Sequence, residues 1–221
     1  IPHFSHYKKG ELRNVCSIRV KFFFNQIAAL VLYSTDNIII TQLFGPSFVT
    51  PYHISYTAFG IVNGLFAAMI SPLWSKYTVA MEHKDYLWIK KSIISLDKML
   101  PLIAIVLLIG IFLFKPLVKI WLHRELVYEE SLIPCMAIYF FMRIWGSIYA
   151  NVLNGIGYIN LQLILAVSTA IFNIPLSVFL GKNCGLGTTG VLLATVICLL
   201  ITEIPVTVHT HIYFKKMIRT Q

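Results

Sequence analysis

The chain alternates long apolar stretches with short polar segments. Six of the apolar stretches hold about twenty residues, and a helix of that length, rising 1.5 Å per residue, crosses a hydrocarbon core about 30 Å thick. The pattern therefore predicts an all-α membrane protein with six transmembrane helices. The predicted spans are residues 22–44, 52–73, 99–121, 132–154, 159–181 and 187–209.

Three of the polar segments between and beside the spans carry most of the basic residues. Residues 1–21 form a basic segment, residues 210–221 a basic tail, and residues 74–98 a connection in which aromatic residues alternate with lysines. That connection suits either an amphipathic helix at the membrane interface or an ordinary loop helix. Because most lysines and arginines lie in these three segments, the positive-inside rule places them, and both chain ends, in the cytoplasm.

The composition supports this interpretation. Of 221 residues, 57% are hydrophobic and 12% are charged, against roughly 25% charged in a soluble domain. The net charge of +9 comes from basic residues beside apolar spans, which indicates topology rather than nucleic-acid binding. The four cysteines form no CxxC pair and predict neither a metal site nor a disulfide framework. Because the chain begins at Ile1 rather than methionine, we expect it to be part of a longer protein.

Asp36 lies near the middle of the first predicted span. A carboxylate at that depth costs roughly 3 kcal/mol on insertion scales, so it is tolerated only beside protein, water or a counter-ion. On a helical wheel the polar side chains fall on one side of the span. This side is either a polar contact between helices or, as we favour, the lining of a transport pathway. It consists of Asn25, Gln26, Tyr33, Asp36, Asn37 and Thr41.

Two further charges lie inside predicted spans. Arg143 is at the centre of the fourth span, where a guanidinium needs an anionic partner. That partner is either Asp36, in a purely structural pair, or a bound phosphate. Glu203 lies in the cytoplasmic half of the last span, near two histidines. It is interpreted as a proton or cation site, or as a solvated carboxylate close to the interface.

Prolines and a glycine-rich segment interrupt the spans. Pro72, Pro175 and Pro205 each remove a helical hydrogen bond, which transporters use at hinges and ligand sites, although proline is common in membrane helices generally. GLGTTG at 185–190 is interpreted as a tight outer turn in which Gly190 allows close helix packing, because a dinucleotide fingerprint needs a preceding strand. No HExxH, GxSxG or DDxxD motif is present, so no enzyme activity is predicted.

Short motifs follow one another along nearly the whole chain. They are TDNIII at 35–40 followed by LFGP, PLWSKYT at 72–78, WIKK at 88–91, NGIG at 154–157, NIP at 173–175 and GTTGVLLAT at 187–195. In this order they resemble the later half of polysaccharide-biosynthesis membrane proteins. These are the O-antigen and lipid-linked oligosaccharide flippases of the multidrug, oligosaccharidyl-lipid and polysaccharide exporter superfamily.

The resemblance implies one half of a twelve-helix, pseudo-symmetric fold around a central cavity, with residues 22–44 as the seventh span. It implies a place in the bacterial inner (cytoplasmic) membrane and translocation of an undecaprenyl-diphosphate-linked oligosaccharide, for export of O-antigen or capsule. The missing N-terminal half of the same protein is expected to complete the cavity. No cofactor is implied beyond coupling to protons or sodium.

The resemblance and the residues together give a hypothesis for the site. Asp36 and Arg143 are the positions to which the family's intramembrane charges carry over. Arg143, with Lys21 at the cytoplasmic mouth, is expected to attract the diphosphate, and ion binding at Asp36 or Glu203 to bias the transport cycle. Sugar hydroxyls are expected to contact Asn25, Gln26, Asn37 and Asn63. A multidrug or cation antiporter of the same superfamily and a membrane glycosyltransferase are the competing functions.

Overall fold

The computed structural model describes residues 9–123 and 126–220, and in the first helix it gives only the backbone at 9–19, 21, 22, 28, 29 and 31–33. Within these ranges the protein is helical, with eight α-helices and no β-strand. The helices are α1 Lys9–Phe44, α2 Val49–Ile70, α3 Leu73–Glu82, α4 Tyr86–Asp97, α5 Leu100–Leu122, α6 Leu132–Gly155, α7 Asn160–Val178 and α8 Gly187–Arg219.

Five stretches of the described chain are long and apolar enough to cross a membrane. They comprise α2 with α3, α4 with α5, and α6, α7 and α8 separately. Helix α1 has 36 residues, which is enough for a further crossing. The prediction of an all-α membrane protein is confirmed, whereas the sixth crossing and the cytoplasmic location of the chain ends stay predictions.

The predicted connection at 74–98 contains two helices rather than one. Helix α3 begins directly after Pro72, where proline is well tolerated because a backbone N–H at the start of a helix has no carbonyl partner to lose. The chain then turns at Lys84, whose φ is +57°. The Asp85 carboxylate accepts a hydrogen bond from the Trp88 backbone N–H at 3.0 Å, which caps the start of α4.

Proline does not end the last two long helices. Pro175 lies inside α7 and Pro205 inside α8, and a π-helical turn at Phe179–Asn183 follows α7. The predicted tail after residue 209 is the continuation of α8, which runs to Arg219. Lys216 and Arg219 lie in its last turn, where positive charge interacts favourably with the helix dipole.

Helix α6 is the centre of the bundle. It packs against α2, α3, α5 and α8, and α8 in turn packs against α1 and α7. Helix α6 buries large side chains along its length, among them Phe140, Ile144 and Ile148. Helix α5 exposes much of its apolar surface, including Phe112 at 80% exposure, as expected of a helix that faces lipid.

Two glycines allow close approach of neighbouring segments. A Cβ atom at Gly155 would lie 2.7 Å from the Cβ of Tyr77 and 2.9 Å from the backbone oxygen of Trp74. A Cβ atom at Gly190 would lie 2.6 Å from the backbone oxygen of Leu180. Real Cβ atoms do not approach other atoms this closely, so the contact of α3 with α6 and that of the π-helical turn after α7 with α8 require glycine.

Replacing Gly155 is therefore expected to destabilise the bundle. Gly155→Ala should cost about 1–3 kcal/mol, the usual penalty for overpacking, because the atoms in the way belong to the backbone and a Cβ rather than to a mobile side chain. The matched control is Gly64→Ala in α2, where a Cβ would meet nothing within 4 Å. Thermal unfolding in detergent should show a lower midpoint for Gly155→Ala alone, and equal midpoints would contradict the close approach.

Candidate functional site

The carboxylate of Asp36 is buried where four helices meet. Only 3% of Asp36, on α1, is exposed. Tyr52 on α2 donates a hydrogen bond to its Oδ2 at 2.6 Å, and Thr195 on α8 donates one to its Oδ1 at 3.0 Å. Asn173 on α7 donates from Nδ2 to the Thr195 hydroxyl oxygen at 3.0 Å. These four residues, the carboxylate cluster, connect α1, α2, α7 and α8.

The hydrogen bonds of the carboxylate cluster account for the tolerance of a charge at this depth. Because the Thr195 hydroxyl has one proton, it donates to Asp36 and accepts from Asn173. A hydrogen bond to a charged group contributes about 1.5–3 kcal/mol. Two such bonds offset the roughly 3 kcal/mol that an intramembrane carboxylate costs, so Asp36 needs no ion pair.

Three sequence motifs that are far apart in the chain meet in this cluster. TDNIII contains Asp36, NIP contains Asn173, and GTTGVLLAT contains Thr195. Sequence reasoning singled out Asp36 but gave no role to Asn173, Thr195 or Tyr52. The sequence does contain a signal for Asn173 and Thr195, because each is a polar residue inside an apolar motif. This signal does not show which of the polar residues contact one another.

Helix α7 buries a polar stripe against the neighbouring helices. Thr169 shares a hydrogen bond of 3.2 Å with Thr202 of α8, one turn before the Asn173 contact. Within the described part, the side-chain oxygens of Asn173 and Ser177 and both polar atoms of Gln162 are buried without a partner. The opposite side of α7 is exposed and apolar, at Ile164, Ile171, Phe172 and Ile174.

Arg143 on α6 is held by two tyrosines. Its Nη1 donates to the hydroxyl of Tyr56 at 2.8 Å and to that of Tyr139 at 3.4 Å. The guanidinium carbon lies 5.8 Å from the centre of the Tyr139 ring, within the range of a cation–π contact. Tyr56 follows Tyr52 by one turn of α2, so this helix presents one tyrosine to Asp36 and the next to Arg143.

Asp36 and Arg143 do not form the structural ion pair that the sequence left open. Among the described residues, the partners of the Asp36 carboxylate are Tyr52 and Thr195. A guanidinium and a carboxylate in one membrane bundle can each be stabilised by hydroxyl groups of neighbouring helices instead of by each other. The two charges therefore belong to neighbouring but separate contacts.

The other predicted site residues are spread along the bundle. Gln26 is exposed, and Asn25, Asn37 and Asn63 are partly exposed. Asn25 lies about three turns before Asp36, roughly 16 Å along α1. The side chain of Lys21, like that of Tyr33, is outside the described residues.

Glu203 is outside the carboxylate cluster. It lies about two turns beyond Thr195 on α8, roughly 12 Å along the axis. There its carboxyl group rests against Gly146 of α6, at a place that a Cβ on this glycine would occupy. The two predicted ion-coupling residues are therefore separate sites.

A cavity of about 470 Å³ lies between α2 and α5. Its lining is almost wholly apolar and includes Ile54, Phe59, Val106, Phe114, Leu117 and Trp121. None of the predicted site residues whose side chains are described lines it. Among all the residues that the structure describes, no group of three or more His, Cys, Asp or Glu side chains is placed to hold a metal ion.

Outside the predicted spans, Glu129 caps the start of α8. Its carboxylate accepts hydrogen bonds from the backbone N–H groups of Thr188 and Thr189 at 2.9 and 2.8 Å. It also accepts from their hydroxyls, at 3.0 and 2.7 Å. Partial burial raises the pKa of Glu129, but these four hydrogen bonds together outweigh it, so the pKa lies below its usual value.

The helices and the charges held between them define a multi-pass, all-α membrane protein. Over 196 residues, 82% of this chain, it is 27% identical to a Salmonella typhimurium protein named as a candidate O-antigen transporter. Over 141 residues, 62% of the chain, it is 28% identical to a Yersinia pseudotuberculosis protein named as a candidate O-antigen export protein. These matches cover 42% and 31% of the relatives, so the chain spans less than half of their length. No family model and no solved structure matches the chain.

These similarities confirm the resemblance to O-antigen exporters that the sequence motifs indicate. The names of both relatives indicate transport rather than catalysis. Together with the apolar helices, they identify a multi-pass bacterial membrane protein related to proteins of polysaccharide export.

Thr195 offers a direct test of the carboxylate cluster. Thr195→Val keeps the shape of the side chain and removes a hydrogen bond to a charged group, so it should lower the free energy of unfolding by about 1.5–3 kcal/mol. The matched control is Thr210→Val, also on α8 and fully buried, whose hydroxyl bonds only to the Val206 carbonyl of its own helix at 2.7 Å. Unfolding titrations in mixed detergent should separate the two variants, and equal losses would contradict the cluster.

Glu129 predicts a dependence of stability on pH. Because its pKa is lower in the folded protein, its contribution is present above the usual glutamate pKa of about 4.3. It is lost as the pH falls through the lower folded value. Glu129→Gln should therefore be less stable than wild type at neutral pH and lose less stability on acidification. Glu130→Gln, at the exposed neighbouring position, should follow the wild-type curve; parallel curves for all three proteins would refute the cap.

Proposed function

We propose that this chain is part of a transporter that moves a lipid-diphosphate-linked oligosaccharide across the bacterial cytoplasmic membrane during O-antigen export. The similarity over 82% of the chain to a protein named for O-antigen transport is the observation that carries the proposal. Because the chain spans less than half of its relatives, the activity belongs to the whole transporter. The helices described here then supply part of the wall of its cavity.

Arg143 supports the diphosphate in this proposal. Its planar guanidinium binds phosphate oxygens with two parallel hydrogen bonds, whereas a lysine acts only as a point charge. Tyr56 and Tyr139 fix the guanidinium at the centre of α6, so its position does not depend on a bound ligand. A positive group fixed at this depth lowers the cost of moving an anionic headgroup past the middle of the bilayer.

The amide side chains along α1 and α2 are proposed to contact the sugars. Asn25, Gln26, Asn37 and Asn63 carry both donors and acceptors, which suits hydroxyl groups of varied orientation. All four are at least partly exposed, and within the described chain the Asn37 side-chain oxygen has no partner. Their spread along α1 and α2 suits an extended oligosaccharide better than a compact ligand.

Asp36 is proposed as the residue that couples transport to a proton or a sodium ion. Either ion would neutralise the carboxylate and weaken the hydrogen bonds from Tyr52 and Thr195, which hold α2 and α8 to α1. The unpartnered oxygen of Asn173 adds an oxygen ligand of the kind that small hard cations prefer. A unit charge that crosses the membrane potential releases about 2.3 kcal/mol per 100 mV, enough to shift such an equilibrium.

Two substitutions test these roles in the natural, full-length protein. Arg143→Ala should abolish translocation of lipid-linked oligosaccharide into proteoliposomes, because the diphosphate loses its fixed cation. Asp36→Asn should retain substrate binding but lose the stimulation that an imposed ion gradient gives the wild type. Lys182→Ala, at an exposed position outside the long helices, is the control and should keep the wild-type rate.

The same assay identifies the coupling ion and can refute the proposal. Proton and sodium gradients are imposed separately, and the one that accelerates the wild type but not Asp36→Asn is the coupling ion. Wild-type rates in both Arg143→Ala and Asp36→Asn would rule out the assigned roles. Equal transport of a cargo without the diphosphate would rule out the substrate class.

A further inference from the structure

A second polar group of residues lies between α8 and α6, apart from the carboxylate cluster. The Glu203 carboxyl group faces Gly146, whose missing side chain provides its space. In the part of the chain that the structure describes, no hydrogen bond reaches this carboxylate. An intramembrane carboxyl group without a hydrogen-bond donor is costly, and such groups mark proton or ion pathways.

Two polar side chains follow Glu203 on α8, at intervals of one turn toward the C-terminal end of the helix. Thr207 is one turn further, and its hydroxyl is buried without a partner among the described residues. His211 is another turn further and is exposed. Side chains at this spacing lie about 5–6 Å apart on one side of a helix, so the three form a column from the interior of the bundle to its surface.

Tyr149 and Asp97 fix the orientation of His211. The Tyr149 hydroxyl lies 3.1 Å from Nε2 of His211 and 3.1 and 3.0 Å from the two carboxylate oxygens of Asp97. Because an ionised carboxylate only accepts, the one hydroxyl proton of Tyr149 goes to Asp97, and Nε2–H of His211 donates to the hydroxyl oxygen. Nδ1 is then the basic nitrogen that can take up a proton.

We propose that His211, Thr207 and Glu203 form a proton path from the surface near the C-terminal end of α8 to the Glu203 carboxyl group. A proton from water binds Nδ1 of His211 and passes through the Thr207 hydroxyl. It then forms an O–H bond on Glu203, and His211 returns to its neutral form. A gap of about 5–6 Å between two polar side chains is one that a single water molecule can bridge. The role of this path in transport rests on the proposed function, to which it adds a second coupling site.

The elements that pack against α8 carry the following charged and titratable residues. Among its described side chains α1 carries Asp36; α4 carries Tyr86, Lys90, Lys91 and Asp97; α6 carries Cys135, Tyr139, Arg143 and Tyr149; the π-helical turn carries Lys182; and α7 contains none. His209 on α8 is separate, because its ring stacks on Tyr158 at 5.1 Å between ring centres. Asp97 is the anionic group connected to His211 by hydrogen bonds, through the Tyr149 hydroxyl.

Proton uptake by Glu203 can be measured directly. The chain in lipid nanodiscs is subjected to a rapid drop in pH, and the infrared band of a protonated carboxyl group is followed in time. Glu203→Gln assigns the band, which should disappear in that variant. His211→Gln and Thr207→Val should slow its appearance by on the order of 100-fold, the usual contribution of a positioned proton donor or acceptor, without reducing its final size.

Matched variants make the result decisive. His53→Gln replaces another exposed histidine, on α2, and Thr210→Val another buried threonine of α8; both should keep the wild-type rate. A wild-type rate in both path variants, or a band unaffected by Glu203→Gln, would overturn the proposal. If Thr207→Val does not fold, the rate measured for His211→Gln, a substitution at an exposed position, decides whether the path exists. Because the band is recorded without any oligosaccharide, failure of the transport proposal is distinguishable from failure of this one.

Discussion

A buried carboxylate that must keep its hydrogen bonds constrains the arrangement of half the bundle. Asp36 can remain in the membrane because hydroxyls from α2 and α8 both point at it, and α7 is fixed in turn through Asn173. Movement of α2 or α8 alone would remove one of the two donors to a buried charge, and movement of α1 alone would remove both, at a cost of about 1.5–3 kcal/mol for each hydrogen bond. The four helices therefore move together, or separate only when Asp36 is neutralised.

Helix α2 connects this constraint to the second intramembrane charge. Tyr52 and Tyr56 are one helical turn apart, and they bond Asp36 and Arg143 respectively. Because a helical turn is rigid, a shift of α2 that follows neutralisation of Asp36 also moves a partner of Arg143. In the proposed transporter, this turn of α2 couples ion binding at Asp36 to diphosphate binding at Arg143. The coupling needs no direct contact between Asp36 and Arg143.

The sequence was informative about helices and charges and much less so about contacts. Apolar length predicted the long helices, and the cost of a buried charge singled out Asp36, Arg143 and Glu203. The apolar pattern ends at residue 209, so it did not predict that α8 continues through the basic tail. No local feature of the tail ends the helix there, and lysine and arginine are favourable in its last turn. Nor could the sequence identify Thr195 as a partner of Asp36, because the two positions are 159 residues apart. Tyr52 is only 16 residues from Asp36 but lies on a different helix, so its contact depends on how α1 and α2 pack. The charges alone left open a structural ion pair between Asp36 and Arg143. In the structure the Asp36 carboxylate bonds to Tyr52 and Thr195 instead.

Polar contacts in this protein serve both assembly and the proposed transport. Between helices in lipid there is no hydrophobic driving force, so close packing and hydrogen bonds hold the bundle together. Helix α7 shows the consequence, with a buried polar stripe facing α8 and an apolar side exposed. A purely structural stripe would pair its polar atoms, yet oxygens of Asn173 and Ser177 stay without partners in the described part. A bundle selected for stability alone would fill these positions with apolar side chains. The Asn173 oxygen, whose side chain is joined to Asp36 through Thr195, is therefore the one that the proposed ion coupling would use.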